Sequence, residues 1–208
     1  MAWQELRGSY DTVAAKYEQR FADELESKPR DRELLEAFAA AVADPVVEIG
    51  CGPGQIGSFV KRRGRHVVGL DLSSEMAALA RVRLEAALVG DMRSLPIQTA
   101  KLGGLVAFYS LIHIPREQIG AVLAEFHRVL RPGGRVLFSA HEGRGEIELD
   151  EFIGEPVRVA ATFFELDELV AASRAAGFEI TFAERRNPYA SESETVRLYI
   201  EAAKPVRD

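Results

Sequence analysis

Cysteine is nearly absent from this chain: Cys51 is the one thiol in 208 residues. That excludes an internal disulfide and a cysteine-ligated metal cluster. Long apolar runs are also missing. The longest uncharged stretch, Leu102 to Pro115, is too short for the roughly 20 apolar residues that a membrane-crossing helix needs. The opening MAWQELRGSYD has no apolar h-region, so neither a secretory leader nor a membrane partner is expected, and the cytoplasm is the expected compartment. Positive charge is not in excess. A net charge of −6 argues against a nucleic-acid partner, because that binding depends on neutralising phosphates. Internal repeats and low-complexity tracts are lacking as well. What remains is an ordinary globular composition, 47% hydrophobic and 28% charged, long enough to bury a full core.

Apolar residues at helical spacing mark the first third of the chain. Tyr10, Val13, Ala14, Tyr17 and Phe21 form one stripe, and Leu34, Leu35, Phe38 and Val42 form another. The polar link Glu26 to Arg30, with Pro29 as a breaker, separates them. From residue 45, short β-branched runs alternate with helical patterns. The spacing predicts strands at 46–49, 66–70, 88–90, 105–109 and 136–140. It predicts helices at 55–63, 74–85, from Pro115 to a stop at Pro132-Gly133-Gly134, and at 166–176. Such alternation gives right-handed crossovers and a parallel sheet covered on both faces. Phe178, Ile180 and Phe182 then alternate with polar residues, as do Val196, Leu198 and Ile200, which predicts an antiparallel pair at one sheet edge. Glu142 to Phe164 has no clear period and is expected to lie over the sheet's carboxyl edge as a flap.

The chemistry concentrates in VVEIGCGPGQIG, residues 46–57. Gly52 to Gly57 fits the dinucleotide pattern G-x-G-x-x-G, a weak signal alone. In an open parallel sheet, ligands sit beyond the strands' carboxyl ends, where the topology reverses. Gly50, Gly52 and Gly54 carry no Cβ and tolerate positive φ, so a ligand can touch the main chain there. Asp71 closes the second predicted strand and suits ribose hydroxyls, in nicotinamide and other adenosine sites alike. Two features break the tie. Glu48, an acid inside the glycine motif, repels a pyrophosphate but suits a cation. Asp91-Met92 offers a second acid, for an adenine amine, beside a soft apolar side chain. S-adenosylmethionine carries a sulfonium, an ammonium, a ribose diol and an adenine amine, and so answers all three acids.

On these residues the chain resembles the class I SAM-dependent methyltransferases of the small-molecule type. VVEIGCGPGQIG resembles that family's first motif, and GLDLSSEM (69–76) its second. VGDMRSLP (89–96), GGLVAFYSLIHIP (103–115) and HRVLRPGGRVLFSAHEG (127–143) resemble the segments that follow. YDTVAAKYEQRF (10–21) resembles the leader helix over the cofactor, and ELVAASRAAGFEI (168–180) extends the likeness nearly end to end. The resemblance implies an α/β fold: a Rossmann-like doubly wound sheet, mostly parallel, with an antiparallel C-terminal strand pair at one edge. It implies a single domain over 1–208, with an N-terminal helical cap (1–44), a cofactor-binding core (45–141), the flap (142–164), and a C-terminal helix and β-hairpin (165–208). The implied cofactor is S-adenosyl-L-methionine, with S-adenosyl-L-homocysteine as product. By resemblance Gly50, Gly52 and Gly54 pass under the methionine moiety, and Glu48 holds its amino group. Asp71 binds the ribose, Leu72 and Met76 flank the adenine, and Asp91 and Met92 grip the adenine edge. Tyr109 and Ser110 lie beside the sulfonium, while Tyr10, Tyr17 and Lys28 reach the carboxylate.

Plainer roles compete for several of these residues. Asp71, Ser73 or Ser74 can cap the following helix, and Asp91 can be a turn residue. Packing explains Tyr10 and Tyr17 about as well as ligand contact does, and Met76 can be core filler. Lys61 to Arg65 complements a helix dipole, and Cys51 is a small residue in a tight loop. His113 and His141 follow neighbouring strands and are candidate general bases projecting over one pocket. Their plainer roles are capping and anchoring the flap.

The acceptor is less visible. Tyr109-Ser110-Leu111-Ile112 stands where methyltransferases of nucleobase or glutamine amides carry Asn-Pro-Pro-aromatic, and no cysteine set for arsenite exists. A small-molecule acceptor, methylated at O or N, is the expectation. A nicotinamide oxidoreductase and a SAM-binding module without catalysis remain the alternatives. Nothing in the sequence speaks to oligomeric state.

Overall fold

A computed structural model of the protein describes residues 3–206. The outermost residues of the expected cap and of the C-terminal unit, 1–2 and 207–208, lie outside the described residues. Two helices open the fold, α1 (Trp3–Phe21) and α2 (Pro29–Ala41), joined through a 3₁₀ turn at Glu24–Ser27. Pro29 starts α2, where its missing N–H costs nothing. The alternating core follows as β1 (Val46–Ile49), α3 (Gln55–Lys61), β2 (Val67–Asp71), α4 (Ser74–Ala80), β3 (Ala86–Val89), β4 (Leu102–Phe108), α5 (Ile119–Val129) and β5 (Leu130–His141). The hairpin β6 (Glu146–Leu149) and β7 (Val159–Thr162), helix α6 (Leu166–Ala175), and strands β8 (Glu179–Arg186) and β9 (Arg197–Ala203) complete it.

Seven strands form one sheet in the order β3-β2-β1-β4-β5-β9-β8. The first five are parallel, and β9 runs antiparallel to both β5 and β8. The chain reverses its direction of travel between β1 and β4, so the crevice for a ligand opens beyond Ile49 and Phe108. Burial obeys the two-residue period of a strand covered on both faces. In β4, Leu105 and Ala107 pack toward α5 and α6, whereas Val106 and Phe108 pack toward α2 and α3. Leu35, Phe38, Val60 and Ala77 fill the second face; Leu123, Phe126 and Leu169 fill the first. About 25 cal/mol per Å² of apolar surface makes these two layers the main source of stability.

Several expected boundaries move. α3 ends at Lys61, and α4 ends at Ala80 where Glu85 was expected, because residues 81–85 turn to enter β3. β3 covers 86–89 in place of 88–90, and β4 begins three residues early and stops before Tyr109. α5 ends at Val129, and Pro132-Gly133-Gly134 sits inside β5. The register jumps from Leu102↔Leu130 to Gly104↔Arg135, so these residues loop out as a bulge, with Gly133 at φ 77°. The flap contains an unforeseen antiparallel hairpin, with Glu146↔Thr162 and Leu149↔Val159 in register. It clasps α1: Ser9 Oγ donates to the Arg158 carbonyl at 2.6 Å, and Lys16 pairs with Glu155 at 2.5 Å.

Candidate active site

Two connected hollows lie at the carboxyl ends of β1, β2 and β4. The smaller, about 80 Å³, is bounded by Asp71, Leu72, Met76, Asp91, Met92 and the leader residues Trp3 and Leu6. The larger, about 500 Å³, reaches from Glu48, Gln55 and the glycine loop to Lys28, His141 and the 191–193 loop. Tyr10, Tyr17, Gly50, Gly52, Phe108 and Tyr109 border both.

The glycine loop fits an acid and no diphosphate. Glu48 is 2% exposed, and its Oε2 accepts the Gly57 N–H in the first turn of α3 at 2.8 Å. A Cβ on Gly57 would lie 2.4 Å from that oxygen. The third glycine of the motif therefore makes room for Glu48, and the helix amide that a pyrophosphate would use is taken. Burial pushes the Glu48 carboxyl well up; the Gly57 bond opposes this, and the charges of Asp71 and Glu24 add to it. Beside it, Gln55 donates to Glu24 Oε1 at 2.8 Å, while Gln55 Oε1 is buried without a partner. Buried acceptors in want of donors make the chemistry of a site for an ammonium group. Gly50, at φ 64°, passes so close to the next strand that a Cβ would sit 2.3 Å from Ser110 Cβ. Gly54 is the exception among the three expected floor residues. It borders neither hollow, caps α3 in the left-handed region, and packs against Ala80 and Leu84.

Asp71 is not the helix cap. Ser73 caps α4 by accepting the Met76 N–H, and Asp11 of α1 reaches over to accept Ser73 Oγ at 2.6 Å. Asp71 accepts Gly52 N–H at 2.7 Å through one oxygen and Ser73 N–H at 2.8 Å through the other, which ties the glycine loop to β2. Asp71 borders the smaller hollow. Burial raises its pKa to about 6 against those hydrogen bonds. Asp91 borders the smaller hollow, and its carboxylate forks onto Arg93, with Nη2 at 2.5 Å from Oδ2. Burial opposes its ionisation, but the Arg93 bonds prevail and hold it below the usual carboxylate range. Arg93 stacks 3.8 Å over the Trp3 ring, which closes this end. Met76 is buried and borders the hollow with Leu72 and Met92, so packing and site roles coincide.

Tyr109 ends β4 at φ 53°, in a backbone region uncommon for a side-chain-bearing residue and found where function holds it. The cause is visible. Its N–H bonds Ser139 Oγ at 3.0 Å, its hydroxyl meets Tyr199 Oη at 3.0 Å, and Asp31 Oδ2 lies 3.3 Å away. Tyr199 in turn donates to Asp31 Oδ1 at 2.5 Å, and Arg186 donates to Tyr199 at 2.8 Å. Glu192 pairs with Arg186 at 2.8 Å and with Arg197 at 3.6 Å. Asp31, Tyr199 and Arg197 are buried, and Glu192 shows 2% of its side chain. Ser110 Oγ donates to the Ile49 carbonyl at 2.8 Å and so braces the loop where it borders the smaller hollow. Lys28 pairs with Glu24 at 2.5 Å, lies 3.9 Å from Glu192 and sits 5.1 Å over the Tyr109 ring.

The two histidines stand at different parts of these connected hollows. His113 borders the smaller hollow and His141 the larger. His113 Nδ1 faces only the Ala160 carbonyl, at 2.8 Å, and must donate; its Nε2 then accepts from Tyr10 Oη at 2.7 Å. Burial lowers its pKa against the Ala160 bond, and it caps no helix. His141 stacks on Tyr109 with centroids 5.3 Å apart, and its Nδ1 meets Thr195 Oγ1 at 2.8 Å. Burial, then the charges of Arg197 and Lys28, push its pKa down to about 4. Sequence reasoning missed Trp3, Asp11, Glu24, Asp31, Gln55, Phe152, Glu192 and Tyr199. Among the described residues no cluster fit for a metal ion occurs, and no helix is long and apolar enough to cross a membrane.

A family model described as a methyltransferase domain matches residues 46–134, the stretch that carries the loop, Asp71 and Tyr109. That stretch of the chain is thus similar to a methyltransferase domain. The chain is 34% identical to a malonyl-acyl-carrier-protein O-methyltransferase of Serratia marcescens over 140 residues, 66% of this chain and 50% of that one. It spans about half the length of such curated relatives. The 4+2 cyclase SpnF has the same fold, with a TM-score of 0.77 at 17% identity, covering 100% of this chain and 98% of that one. So does the 1,6-didemethyltoxoflavin-N1-methyltransferase of Burkholderia thailandensis, solved with 1,6-didemethyltoxoflavin and S-adenosylhomocysteine bound. There the TM-score is 0.72 at 24% identity, covering 98% and 88% of the two chains. These likenesses do not favour the nicotinamide alternative.

Proposed function

We propose that this chain transfers the methyl group of S-adenosylmethionine to an oxygen or nitrogen atom of a small molecule. The observation that carries this reading is the buried Glu48 carboxylate under the glycine loop, with the orphaned Gln55 Oε1 beside it. Together they form an ammonium site where a dinucleotide would need an anion site. In this reading Asp71 holds the ribose, Leu72, Met76 and Met92 hold the adenine, and Glu48 with Gln55 holds the amino group. Lys28 and Tyr17 face the carboxylate from the leader side. Gly50 and Gly52 form the floor, and Asp91 supports the adenine end through Arg93.

The bound cofactor supplies an electrophilic methyl on a good leaving group. The residues supply orientation, which is worth up to about 7–11 kcal/mol. His113 takes up the acceptor proton through Tyr10, since its Nε2 lone pair is engaged by that hydroxyl. His141, neutral over the physiological range by its pKa of about 4, orients the acceptor against Tyr109. A 4+2 cyclase on the same fold is a reminder that fold alone does not set the reaction, so a SAM-binding protein without methyl transfer is the reading to exclude. Parallel calorimetry with S-adenosylhomocysteine and NAD tests the binding half. Saturable binding of the first and none of the second is expected; the reverse overturns the proposal. Incubation with S-adenosylmethionine and a metabolite extract, read by mass spectrometry for gains of one methyl, tests the transfer half.

A further inference from the structure

The larger hollow runs past the glycine loop to His141 and the 191–193 loop, and this far part has a distinct character. Four rings roof it. Tyr17 lies 4.6 Å from Phe21 and 6.4 Å from Phe152, and Tyr10 lies 6.0 Å from Phe152, centroid to centroid. The floor is the stacked pair Tyr109 and His141, held rigid by Asp31, Tyr199 and Thr195. The charges lining this hollow cancel: Arg20, Lys28 and Arg197 stand against Glu24, Glu48 and Glu192. The cations are already engaged, Lys28 by Glu24, Arg197 by Glu192, and Arg20 over the Phe21 ring. Lys28 and Arg197 are thus spent on carboxylates and Arg20 is exposed at the rim, so burying an unpaired acceptor charge deeper in is costly. At the boundary with the cofactor end stands Tyr10, whose proton is committed to His113 Nε2.

Resting on the methyl-transfer reading, we propose that the acceptor is an uncharged flat aromatic hydroxyl compound, seated between the Phe152 side of the roof and the Tyr109 floor. Its O–H proton passes to Tyr10 Oη as the Tyr10 proton passes to His113 Nε2, which becomes imidazolium and later loses the proton to solvent. The acceptor oxygen's electron pair forms the new bond to the methyl carbon, and the pair of the broken carbon–sulfur bond stays on sulfur. Tyr10 touches the acceptor, and His113 acts behind it.

The test uses the full chain saturated with S-adenosylhomocysteine, with 2-naphthol, a saturated decalin alcohol, 2-naphthoate and malonyl-pantetheine as calorimetric probes. Naphthol is expected to bind, and the other three to bind at least about tenfold more weakly, since ring stacking is worth about 0.5–1.5 kcal/mol beyond area. Phe152→Ala is expected to weaken naphthol by roughly tenfold, Phe152→Tyr to restore it, and both to keep the homocysteine affinity, which also shows that they fold. With S-adenosylmethionine, Tyr10→Phe is expected to slow methylation of naphthol by about 10²-fold, and that of the more acidic 4-nitrophenol much less. Tighter binding of malonyl-pantetheine or of the saturated alcohol, or an equal Tyr10→Phe defect on both phenols, overturns the inference while leaving methyl transfer standing. Failure of the unmodified chain to bind S-adenosylhomocysteine overturns both.

Discussion

The two ends of the site are built by different rules. At the nucleoside end the bonds that join the glycine loop and its acids are short in sequence: Glu48 to Gly57, Gly52 to Asp71, Asp71 to Ser73, Asp91 to Arg93. At the acceptor end the partners lie far apart: Tyr199 bonds Asp31 across 168 positions, Tyr109 meets Tyr199 across 90, and His113 meets Tyr10 across 103. The first end comes ready with the strand-loop-helix unit that carries it. The second exists only after the leader, the flap and the edge strands have docked. Affinity for cofactor and selection of acceptor should therefore be separable by mutation.

The harshest way to break that separation is at Gly57. Gly57→Ala drives a methyl into Glu48 Oε2, with Leu84 Cδ2 at 3.0 Å and Val67 Cγ1 at 3.1 Å leaving no retreat. A loss of about 1–3 kcal/mol of stability is expected in urea melts, together with loss of S-adenosylhomocysteine binding by calorimetry. Asp71→Asn is expected to weaken the same ligand by roughly 10–100-fold, since it removes a charged acceptor, about 1.5–3 kcal/mol. Acceptor turnover at saturating cofactor should change far less.

At the other end, Tyr199→Phe removes the hydroxyl between Asp31 and Tyr109 and leaves a buried carboxylate short of a donor, at about 1–3 kcal/mol. The expected result is a lower Tm and a raised acceptor KM with homocysteine affinity unchanged. A parallel loss of cofactor affinity would mean that the two ends are one unit.

A gentler probe is pH. Asp71 is ionised above and protonated below its pKa of about 6, and the ionised form is the better acceptor for ribose hydroxyls. Cofactor-product affinity should therefore be highest above pH 7 and fall as pH drops through 6, by at most about tenfold per unit. The smallest effect belongs to His141, whose pKa near 4 predicts no change in its imidazole NMR shifts between pH 6 and 8.

The same contrast explains how much the sequence discloses. The parallel core, the edge pair and the loop acids are legible because strand period, glycine spacing and terminal acids are local signals. Asp31 is not, for in Arg30-Asp31-Arg32 it reads as part of a solvated helix face, and only Tyr199 and Arg186 arriving from the edge strands bury it. Glu192 hides in a polar loop for the same reason. The hairpin escapes because Glu146 to Leu149 offers four residues of alternation with Ile147 and Leu149 about 41% exposed, too little burial to leave a period. Gly54 misleads in the other direction: its spacing matches the floor glycines, but its neighbours belong to α4. Asp91 and Ser110 border the smaller hollow as expected, but the sequence does not disclose that Arg93 and the Ile49 carbonyl also engage their polar atoms.

The interlock of Glu48 with Gly57 also limits what this loop can become. Trading the acid alone for an apolar residue would leave a helix amide without its partner, and adding a side chain at position 57 while the acid stays would collide with it. A descendant that swapped sulfonium chemistry for hydride chemistry would have to cross a non-binding intermediate, so one-step drift between the two ligand classes is closed at this turn.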